Sequence, residues 1–532
     1  MLTDSFARDH LPPRELWPEM HADPPFDYPA RLNAGVELLD RQIDAGLGER
    51  ALIHFEGGTW TYADFRRRSD QVAHVLVHDM GLVPGNRVLL HGPNTPLMAA
   101  AWFAVVRAGG IAVATMPLLR AAELTYTVEK ARITHALCHM SCREELDRTM
   151  GASSLLEHVR YFGEGGDMES AMVGHAGAFE PVDTAADDVA LIAFTSGTTG
   201  KAKATMHFHR DVLAICDAFP ASCQDVRPDD VFTGTPPLAF TFGLGGILLF
   251  PMRFGAATVF PAKPGPDGLL DAISRFHVTT CYTSPTAYRA MMGKLGDHDL
   301  GSLRECISAG EPLPAPTSDA WFDETGIRII DGIGSTEMLH IFLSAPVAEQ
   351  HPGATGKPMP GYEARVVDRD GNEVPAGTVG LLAVRGPTGC RYLDDVERQR
   401  DYVRHGWNYP GDAYMVDEEG YFHYQARTDD LIISGGYNIA GLEIESVLLR
   451  HPAVAECGVV GVPDPDRGQI VKAFVVLRDG GGAPAGDLAR ELQDFVKQEI
   501  APYKYPRAIA FIDALPRTQT GKLQRFRLRD LD

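Results

Sequence analysis

Apolar runs of strand length alternate with helical patterns from about residue 60 to residue 387. Glycine and proline occur at the junctions between them, where the chain has to turn. This alternation is typical of strand-helix units stacked in mostly parallel sheets, an α/β fold. The strands are predicted at Arg87–His91, Ile111–Thr115, Val189–Thr195, Ala257–Phe260, Thr279–Thr283 and Arg328–Ile330.

The pattern changes towards the C-terminus. Leu381–Arg385 and Tyr414–Tyr421 indicate hairpins of a small β-barrel-like piece. Beyond residue 430 the order becomes that of a separate α+β unit of ordinary domain size, with elements predicted at 440–449, 454–462, 473–477, 485–499 and 509–511. We therefore predict a large N-terminal domain over residues 1–428 and a small C-terminal domain over residues 429–532.

Composition restricts the possible partners. The 532 residues carry a net charge of −22, which argues against a nucleic-acid or an anionic-membrane surface. The longest apolar stretch, Leu97–Leu119, is interrupted by Arg107 and Pro117 and reads as a helix followed by a buried strand, not as a membrane span. The first ten residues contain no apolar signal segment, so a cytoplasmic location is expected.

Eight cysteines scattered along the chain fit reduced thiols. His135, Cys138, His139 and Cys142 have spacings that a zinc site can use, but no second ligand pair of matching pattern follows nearby. We therefore interpret these four residues as ordinary core and surface positions.

A nine-residue segment after the predicted strand Val189–Thr195 has the composition of a phosphate-binding loop. Its hydroxyls can donate to phosphate oxygens, its glycines allow backbone N–H groups to face an anion, and its lysines supply charge. The spacing differs from that of a Walker loop. The residues concerned are Thr195, Ser196, Gly197, Thr198, Thr199, Gly200, Lys201 and Lys203.

This loop resembles the signature of the adenylate-forming superfamily, which contains acyl-CoA synthetases, peptide-synthetase adenylation domains and firefly luciferase. The resemblance spans nearly the whole chain, with Ala202 in place of a usual proline. It implies that an acid and ATP form an acyl-adenylate and pyrophosphate, after which CoA displaces AMP. Adenylation is needed because a bare carboxylate repels nucleophiles and has a poor leaving group.

Further motifs are similar to the nucleotide site of that family. In Asp331–Glu337, the resemblance implies that Glu337 helps to hold Mg²⁺ and that Thr336 meets phosphate; magnesium prefers such hard oxygen ligands. Ile333 replaces a usual tyrosine, so adenine is expected to stack on aliphatic surface. The remaining positions of the adenine side are Asp331, Gly332, Gly310, Glu311 and Pro312.

The other implied nucleotide contacts lie nearer the C-terminus. Asp412 matches the carboxylate that accepts both ribose hydroxyls, and Arg427 fits a second ribose or phosphate contact. Lys522 matches the lysine that bridges the acid carboxylate and the α-phosphate, a role suited to a compact ammonium group.

Two successive reactions require the small domain to present two faces in turn. By resemblance, Asp429 occupies the hinge position, since a few residues between domains can absorb the dihedral change. Gly435, Gly436 and Tyr437 match the loop that lines the thiol channel for CoA, where glycine permits close approach of a narrow ligand.

The segment Pro236–Gly245 occupies the position of the acid pocket. Ala239, Phe240, Thr241 and Phe242 provide no charge for an α-amino group, whereas flat aromatic faces suit a ring. The string Asp331–Phe342 resembles benzoate-CoA and 2-aminobenzoate-CoA ligases. By that likeness Gly334, His340 and Ile341 line the aryl pocket, with His340 near the carboxylate.

The predicted substrate is anthranilate (2-aminobenzoate), because the Thr241 hydroxyl can meet an ortho-amino group; benzoate is the alternative. Three further readings stay open: loading of a separate carrier protein, a light-emitting oxygenase, and a non-catalytic acyl-adenylate binder. A binder is expected to have lost Lys522 or Glu337, and both are present. The oligomeric state is left open between monomer and homodimer.

Overall fold

A computed structural model describes residues 3–21, 23–195, 202–351, 353–430, 432–434, 437–464, 468–478, 487–500, 502–517 and 523–531. Within these residues the chain forms four β-sheets, two of them mostly parallel. The α/β architecture predicted from the sequence is confirmed.

The first sheet has six strands, and all except the last run parallel. Three of them coincide with the predicted strands because each is a short apolar run buried on both faces. In spatial order the strands are His158–Phe162, His135–His139, Arg87–His91, Ile111–Thr115, Val189–Thr195 and Lys203–Phe208. The predicted phosphate loop therefore connects the antiparallel pair at one edge.

The second sheet has nine strands, parallel in the centre and antiparallel at both edges. The strand predicted at Arg328–Ile330 is longer than expected and continues through the polar, glycine-containing segment to Gly334, because it pairs there with the following strand. The order is Lys357–Pro358, Ile341–Ser344, Ile329–Gly334, Glu305–Ser308, Thr280–Thr283, Val231–Gly234, Ala257–Val259, Ala51–Phe55 and Gly58–Thr61.

Helices cover both sheets, and two of them are almost wholly buried. Helix His209–Cys223 packs against strand Lys203–Phe208 of the first sheet and strand Ile341–Ser344 of the second, so the main core lies between the sheets. The other long helices are Tyr62–His74, Pro96–Arg107, Ala121–Ala131, Arg143–Ala152, Gly265–Phe276, Pro285–Met292 and Ala315–Thr325. The shorter α-helices are Phe6–Asp9, Met168–Val173, Thr241–Leu244, Phe250–Arg253 and Val396–Tyr402.

The third sheet is antiparallel and corresponds to the predicted barrel-like piece. Its strands are Glu363–Val367, Val379–Arg385, Val403–Arg404, Trp407–Asn408, Asp412–Val416 and Phe422–Arg427. The fourth sheet has its own core, which matches the predicted small α+β domain. It contains Ile432–Ser434, Tyr437–Ile439, Val454–Asp464, Gly468–Leu477 and Ala508–Phe511, flanked by helices Gly441–Leu448, Leu488–Glu499 and Arg525–Arg529.

The apolar stretch Leu97–Leu119 forms helix Pro96–Arg107 and strand Ile111–Thr115, as predicted. No helix in the described ranges has the length and hydropathy needed to cross a bilayer. All eight cysteines are unpaired and buried. His135, Cys138 and His139 lie in one strand, where successive side chains point to opposite faces. Among the described residues no group of three or more metal-ligating side chains is formed.

Candidate active site

The ends of the predicted phosphate loop lie directly opposite each other. Thr195 pairs with Lys203 across the antiparallel strands, and the carbonyl of Ala202 accepts a 2.9 Å hydrogen bond from the Tyr126 hydroxyl. The ammonium of Lys203 lies 5.8 Å from the ring centre of Tyr392, within cation-π range. The remaining predicted loop residues, Ser196, Gly197, Thr198, Thr199, Gly200 and Lys201, lie outside the described residues.

The predicted magnesium segment follows the end of strand Ile329–Gly334 and forms a single 3₁₀ turn, Thr336–Met338. The chain then reverses at Leu339, which has a φ of 69°, a conformation that costs free energy in a non-glycine residue. A Cβ atom at Gly334 would lie 2.6 Å from the carbonyl oxygen of His340. Gly334 is therefore required for the close return of the chain.

Two side chains from distant parts of the sequence contact this turn. His207 Nε2 lies 2.8 Å from the carbonyl oxygen of Thr336, and the Tyr392 hydroxyl donates a 2.7 Å hydrogen bond to Oε1 of the buried Glu337. Burial and the nearby Glu337 carboxylate raise the pKa of Tyr392 far above its ordinary value, so the phenol keeps its proton.

Beneath this turn lies a buried ion pair. Arg391 Nη1 lies 2.8 Å from Oδ2 of Asp211, and both side chains are completely buried. Burial alone opposes ionisation of Asp211, but the charges of Arg391 and its other basic neighbours lower the pKa of that carboxyl below its usual range. The sequence alone did not point to Arg391, Tyr392 and His207, because no local pattern links them to partners 180, 55 and 129 positions away.

The predicted adenine side is formed by two neighbouring strand ends. Asp331 and Ser308 are paired across adjacent parallel strands, and the loop after Ser308 contains Gly310 with a φ of 85°. Glu311 accepts a 2.7 Å hydrogen bond from the Thr286 hydroxyl. Burial raises the pKa of Asp331 to about 7. Gly332 and Ile333 continue the same strand as Asp331, whereas Pro312 lies in the same loop as Gly310, before helix Ala315–Thr325.

Asp412 and Arg427 form a cross-strand pair. They lie opposite each other in the third sheet, with 3.1 Å between Arg427 Nη1 and Asp412 Oδ1. Arg427 Nη1 also donates to the carbonyl of Pro410 at 2.8 Å. Gly411 beside the guanidinium has a φ of 82°, a left-handed conformation that favours glycine. Two predicted nucleotide contacts are thereby adjacent.

The predicted acid pocket has aromatic walls around one buried histidine. The ring centre of His340 lies 4.5 Å from that of Phe250, 5.7 Å from Phe242 and 5.9 Å from Phe219. Neither ring nitrogen of His340 has a hydrogen-bond partner among the described residues. Burial lowers the pKa of His340 to about 3, so the imidazole is neutral at physiological pH.

The structure brings Phe242 and His340 together. In the described part of the chain no aromatic ring contacts Phe240, which is half-buried beside Ala239. Thr241 opens a short helix and is 8% exposed. Among the described residues no hydrogen bond is formed by its hydroxyl. Ile341 is buried opposite Gly334 in the adjoining strand pair.

The predicted C-terminal site residues are described only in part. Lys522, Gly435 and Gly436 lie outside the described residues, and so do the side chains of Asp429 and Tyr437. The backbone of Asp429 lies in the 3₁₀ turn Thr428–Asp430 between the third and fourth sheets. That position agrees with a connection between two domains.

Glu337 has the chemistry that a magnesium ion requires. Its Oε1 accepts from Tyr392, and within the described chain no hydrogen bond reaches Oε2, which leaves one hard oxygen for a cation. A magnesium ion that keeps waters and substrate phosphates needs no further protein carboxylate. The residues present therefore fit this ion.

Comparison with known proteins agrees with this geometry. Residues 39–391 match the family described as "AMP-binding enzyme", and residues 443–522 match the family described as "AMP-binding enzyme C-terminal domain". Benzoate-CoA ligase of Thauera aromatica is 35% identical over 95% of this chain and 97% of its own length. The 3-hydroxybenzoate-CoA ligase of Aromatoleum sp. (strain CIB) is 31% identical, with 95% and 98% covered.

Solved structures give the same result. The crystal structure of the anthranilate CoA ligase AuaEII in complex with anthranoyl-AMP has a TM-score of 0.89 and 34% identity, and covers 95% of this chain and 98% of its own. A benzoate CoA ligase of Burkholderia xenovorans LB400 has a TM-score of 0.85 and 31% identity, with 94% and 100% covered. The chain therefore belongs to the AMP-binding family of adenylate-forming enzymes and is an acid-thiol ligase that forms AMP.

Proposed function

We propose that this enzyme converts anthranilate, ATP and CoA into anthraniloyl-CoA, AMP and pyrophosphate through an acyl-adenylate. The observation that supports this choice is Thr241, a residue 8% exposed next to Phe242, whose hydroxyl forms no hydrogen bond with the described residues. An ortho-amino group can donate to that hydroxyl and satisfy it. The similarity to an anthranilate ligase supports the same reading.

The described residues suggest a division of roles. Asp412 accepts the ribose hydroxyls, with Arg427 holding its carboxylate in place. Glu337 would hold magnesium together with the phosphates of ATP, and the ion would neutralise charge on the phosphates during transfer of the adenylyl group. Gly310, Glu311 and Asp331 enclose the adenine, and Lys203 meets phosphate at the end of its loop.

Lys522 is proposed to stabilise charge as the acid carboxylate attacks the α-phosphorus. The acid oxygen forms the new bond and pyrophosphate leaves with the electron pair. In the second step the thiol sulfur of CoA attacks the acyl carbon, AMP departs, and the thiol proton is released. Gly435, Gly436 and Tyr437 are proposed to line the path of the thiol, with Asp429 as the hinge.

Benzoate is the second candidate substrate, because the benzoate ligase of Thauera aromatica is similar over nearly the whole chain. The pocket walls accept either ring, and only the ortho substituent separates the two acids. A separate carrier protein is the alternative acceptor. A cytoplasmic location and a monomeric or homodimeric state stay predictions.

A competition experiment tests the proposal. Purified protein is incubated with ATP, Mg²⁺, CoA and equal anthranilate and benzoate, and each thioester is quantified by mass spectrometry. We expect anthraniloyl-CoA to dominate in the wild type and in the matched control Thr241→Ser, which keeps the hydroxyl. Thr241→Val is expected to lower the preference for anthranilate about tenfold.

An unchanged preference in Thr241→Val would remove Thr241 as the selective residue. Dominance of benzoyl-CoA in the wild type would establish the alternative acid. Acyl-adenylate without either thioester would identify a carrier protein as the acceptor.

A further inference from the structure

Each residue from Ser335 to Met338, which together form the turn with Glu337 and its start, is contacted by a different side chain from elsewhere in the sequence. The four contacts involve Tyr402 with Ser335 (3.3 Å between hydroxyls), His207 with the carbonyl of Thr336 (2.8 Å), Tyr392 with the Glu337 carboxylate (2.7 Å) and Thr388 with the carbonyl of Met338 (2.7 Å). Three of these partners belong to residues 388–402. This segment therefore determines the position of the turn.

Of the four partners, Tyr392 is the one that binds the acidic side chain. Its hydroxyl donates to Oε1 of Glu337, a hydrogen bond strengthened by the negative charge of the acceptor. A glutamate has several rotatable bonds, and a fixed donor on one oxygen limits the directions in which the other oxygen can point. Oε2 thereby gains a defined orientation.

Tyr392 is itself held rigidly. Its backbone N–H donates to the side-chain carbonyl of Gln399 at 2.9 Å, and its ring lies edge-on to Tyr402 with 5.7 Å between centres. The residue before it, Arg391, is buried in the ion pair with Asp211. A donor fixed in this way loses little conformational freedom when it binds the carboxylate.

The same short segment extends the strand that follows the phosphate loop. Tyr392 forms a bridge with Thr205, the N–H of Met206 donates to the carbonyl of Arg391 at 2.8 Å, and the N–H of Leu393 donates to the carbonyl of Ala204 at 2.9 Å. Tyr392 thus contacts Glu337 with its hydroxyl and lies below the ammonium of Lys203 with its ring. It joins two parts of the proposed nucleotide site.

We propose that Tyr392 is a positioning residue. It orients the Glu337 carboxylate for the magnesium ion of Mg·ATP and sets the distance between that carboxylate and Lys203. The inference rests on the proposed function, because it takes Glu337 as the magnesium ligand. Partners that orient a metal ligand contribute about 10- to 100-fold to metal affinity. Removal of the hydroxyl therefore weakens magnesium binding without removing the ligand.

The test measures binding without turnover. ATP affinity is determined by calorimetry at increasing Mg²⁺ and without any acid substrate, for the wild type, Tyr392→Phe and the control Tyr288→Phe. Tyr288 is a fully buried tyrosine whose hydroxyl donates to the carbonyl of Cys281 at 2.9 Å. We expect Tyr392→Phe to bind free ATP normally and to need about 10- to 100-fold more Mg²⁺, while Tyr288→Phe retains the wild-type dependence.

A Mg²⁺ dependence in Tyr392→Phe equal to that of the wild type would overturn the proposal. The double variant Tyr392→Phe/Glu337→Gln is expected to bind Mg·ATP no more weakly than Glu337→Gln alone, and additive losses would show that Tyr392 acts elsewhere. If the phenylalanine variant does not fold, Tyr392→Gln and Tyr392→Leu are compared, since they differ in a donor group. Equal Mg²⁺ dependence of ATP binding in Tyr392→Gln and Tyr392→Leu would also refute the positioning role of Tyr392.

The two proposals fail in different ways. If the wild type binds ATP with a clear Mg²⁺ dependence but forms no aryl-adenylate, the proposed function is wrong and the role of Tyr392 is still measured. If the wild type forms the aryl thioester while Tyr392→Phe keeps its Mg²⁺ dependence, only the positioning role is wrong.

Discussion

Asp412 and Arg427 face each other across two antiparallel strands, with 3.1 Å between the guanidinium and the carboxylate. Asp412 is 7% exposed, so its carboxylate is largely withdrawn from water. Arg427 is the more exposed partner. An arginine at this position holds the carboxylate in one orientation.

Replacement of Asp412 by alanine is expected to lower ATP affinity by about 10- to 100-fold. Hydrogen bonds to a charged group contribute about 1.5–3 kcal/mol, and every 1.4 kcal/mol is about a tenfold change in affinity. Calorimetric titration of ATP measures the effect. The control is Asp417→Ala on the same hairpin, where the carboxylate lies 2.8 Å from Nε2 of His423. Equal losses in both variants would contradict a specific ribose contact.

Replacement of Lys522 by alanine is expected to slow adenylate formation by at least about 100-fold, because charge developing on the phosphate loses its ammonium partner. Conversion of preformed acyl-adenylate and CoA into thioester is expected to continue. Rapid-quench assays of the two half-reactions check this, with Lys497→Ala, a lysine paired with Asp494, as the control. Equal slowing of both half-reactions in Lys522→Ala would argue for a general structural effect.

His340 makes stability depend on acid pH. Its pKa is near 3 in the folded chain and 6.5 when unperturbed, so the unfolded state binds this proton more tightly. The unfolding free energy therefore falls as pH is lowered from about 6.5 towards 3. Urea unfolding at pH 7 and pH 4.5 is expected to show that His340→Gln loses about 2–3 kcal/mol less on acidification than the wild type.

The control for this pH effect is His277→Asn. His277 is exposed and has a φ of 51°, a left-handed conformation that asparagine tolerates. This variant is expected to lose as much stability on acidification as the wild type. If His340→Gln behaved in the same way as His277→Asn, the buried neutral state of His340 would be wrong.

The buried pair of Arg391 and Asp211 is expected to be sensitive to removal of one partner. Arg391→Leu leaves a carboxylate buried without its cation, which costs about 3–5 kcal/mol of unfolding free energy. Denaturant unfolding measures this loss. In the control Arg328→Leu, which breaks an exposed pair with Asp319, we expect a loss of about 1 kcal/mol or less. A similarly small loss of unfolding free energy in Arg391→Leu would show that other groups stabilise the buried Asp211 carboxylate.

Short apolar strands were predictable from sequence alone. Arg87–His91, Ile111–Thr115 and Val189–Thr195 have the predicted bounds, because burial on both faces requires an unbroken apolar run. The strand at Ile329–Gly334 was predicted too short, since Asp331, Gly332 and Gly334 interrupt the apolar pattern and join the strand through pairing with Ser308 and with Ile341–Ser344. Pairing partners distant in sequence override local preference.

Sequence by itself determined the family, the order of the site motifs and the type of reaction, because loops that bind phosphate need particular residue types at close spacing. Asp412 and Arg427 were both predicted as nucleotide contacts, because each belongs to a recognisable motif, and the structure adds that they pair across two strands. The tertiary structure alone decided that Phe242 and not Phe240 contacts His340. It also brought Tyr392 to Glu337 and Arg391 to Asp211, across 55 and 180 residues. Such contacts leave no periodic signal, since they depend on how separate sheets and helices pack.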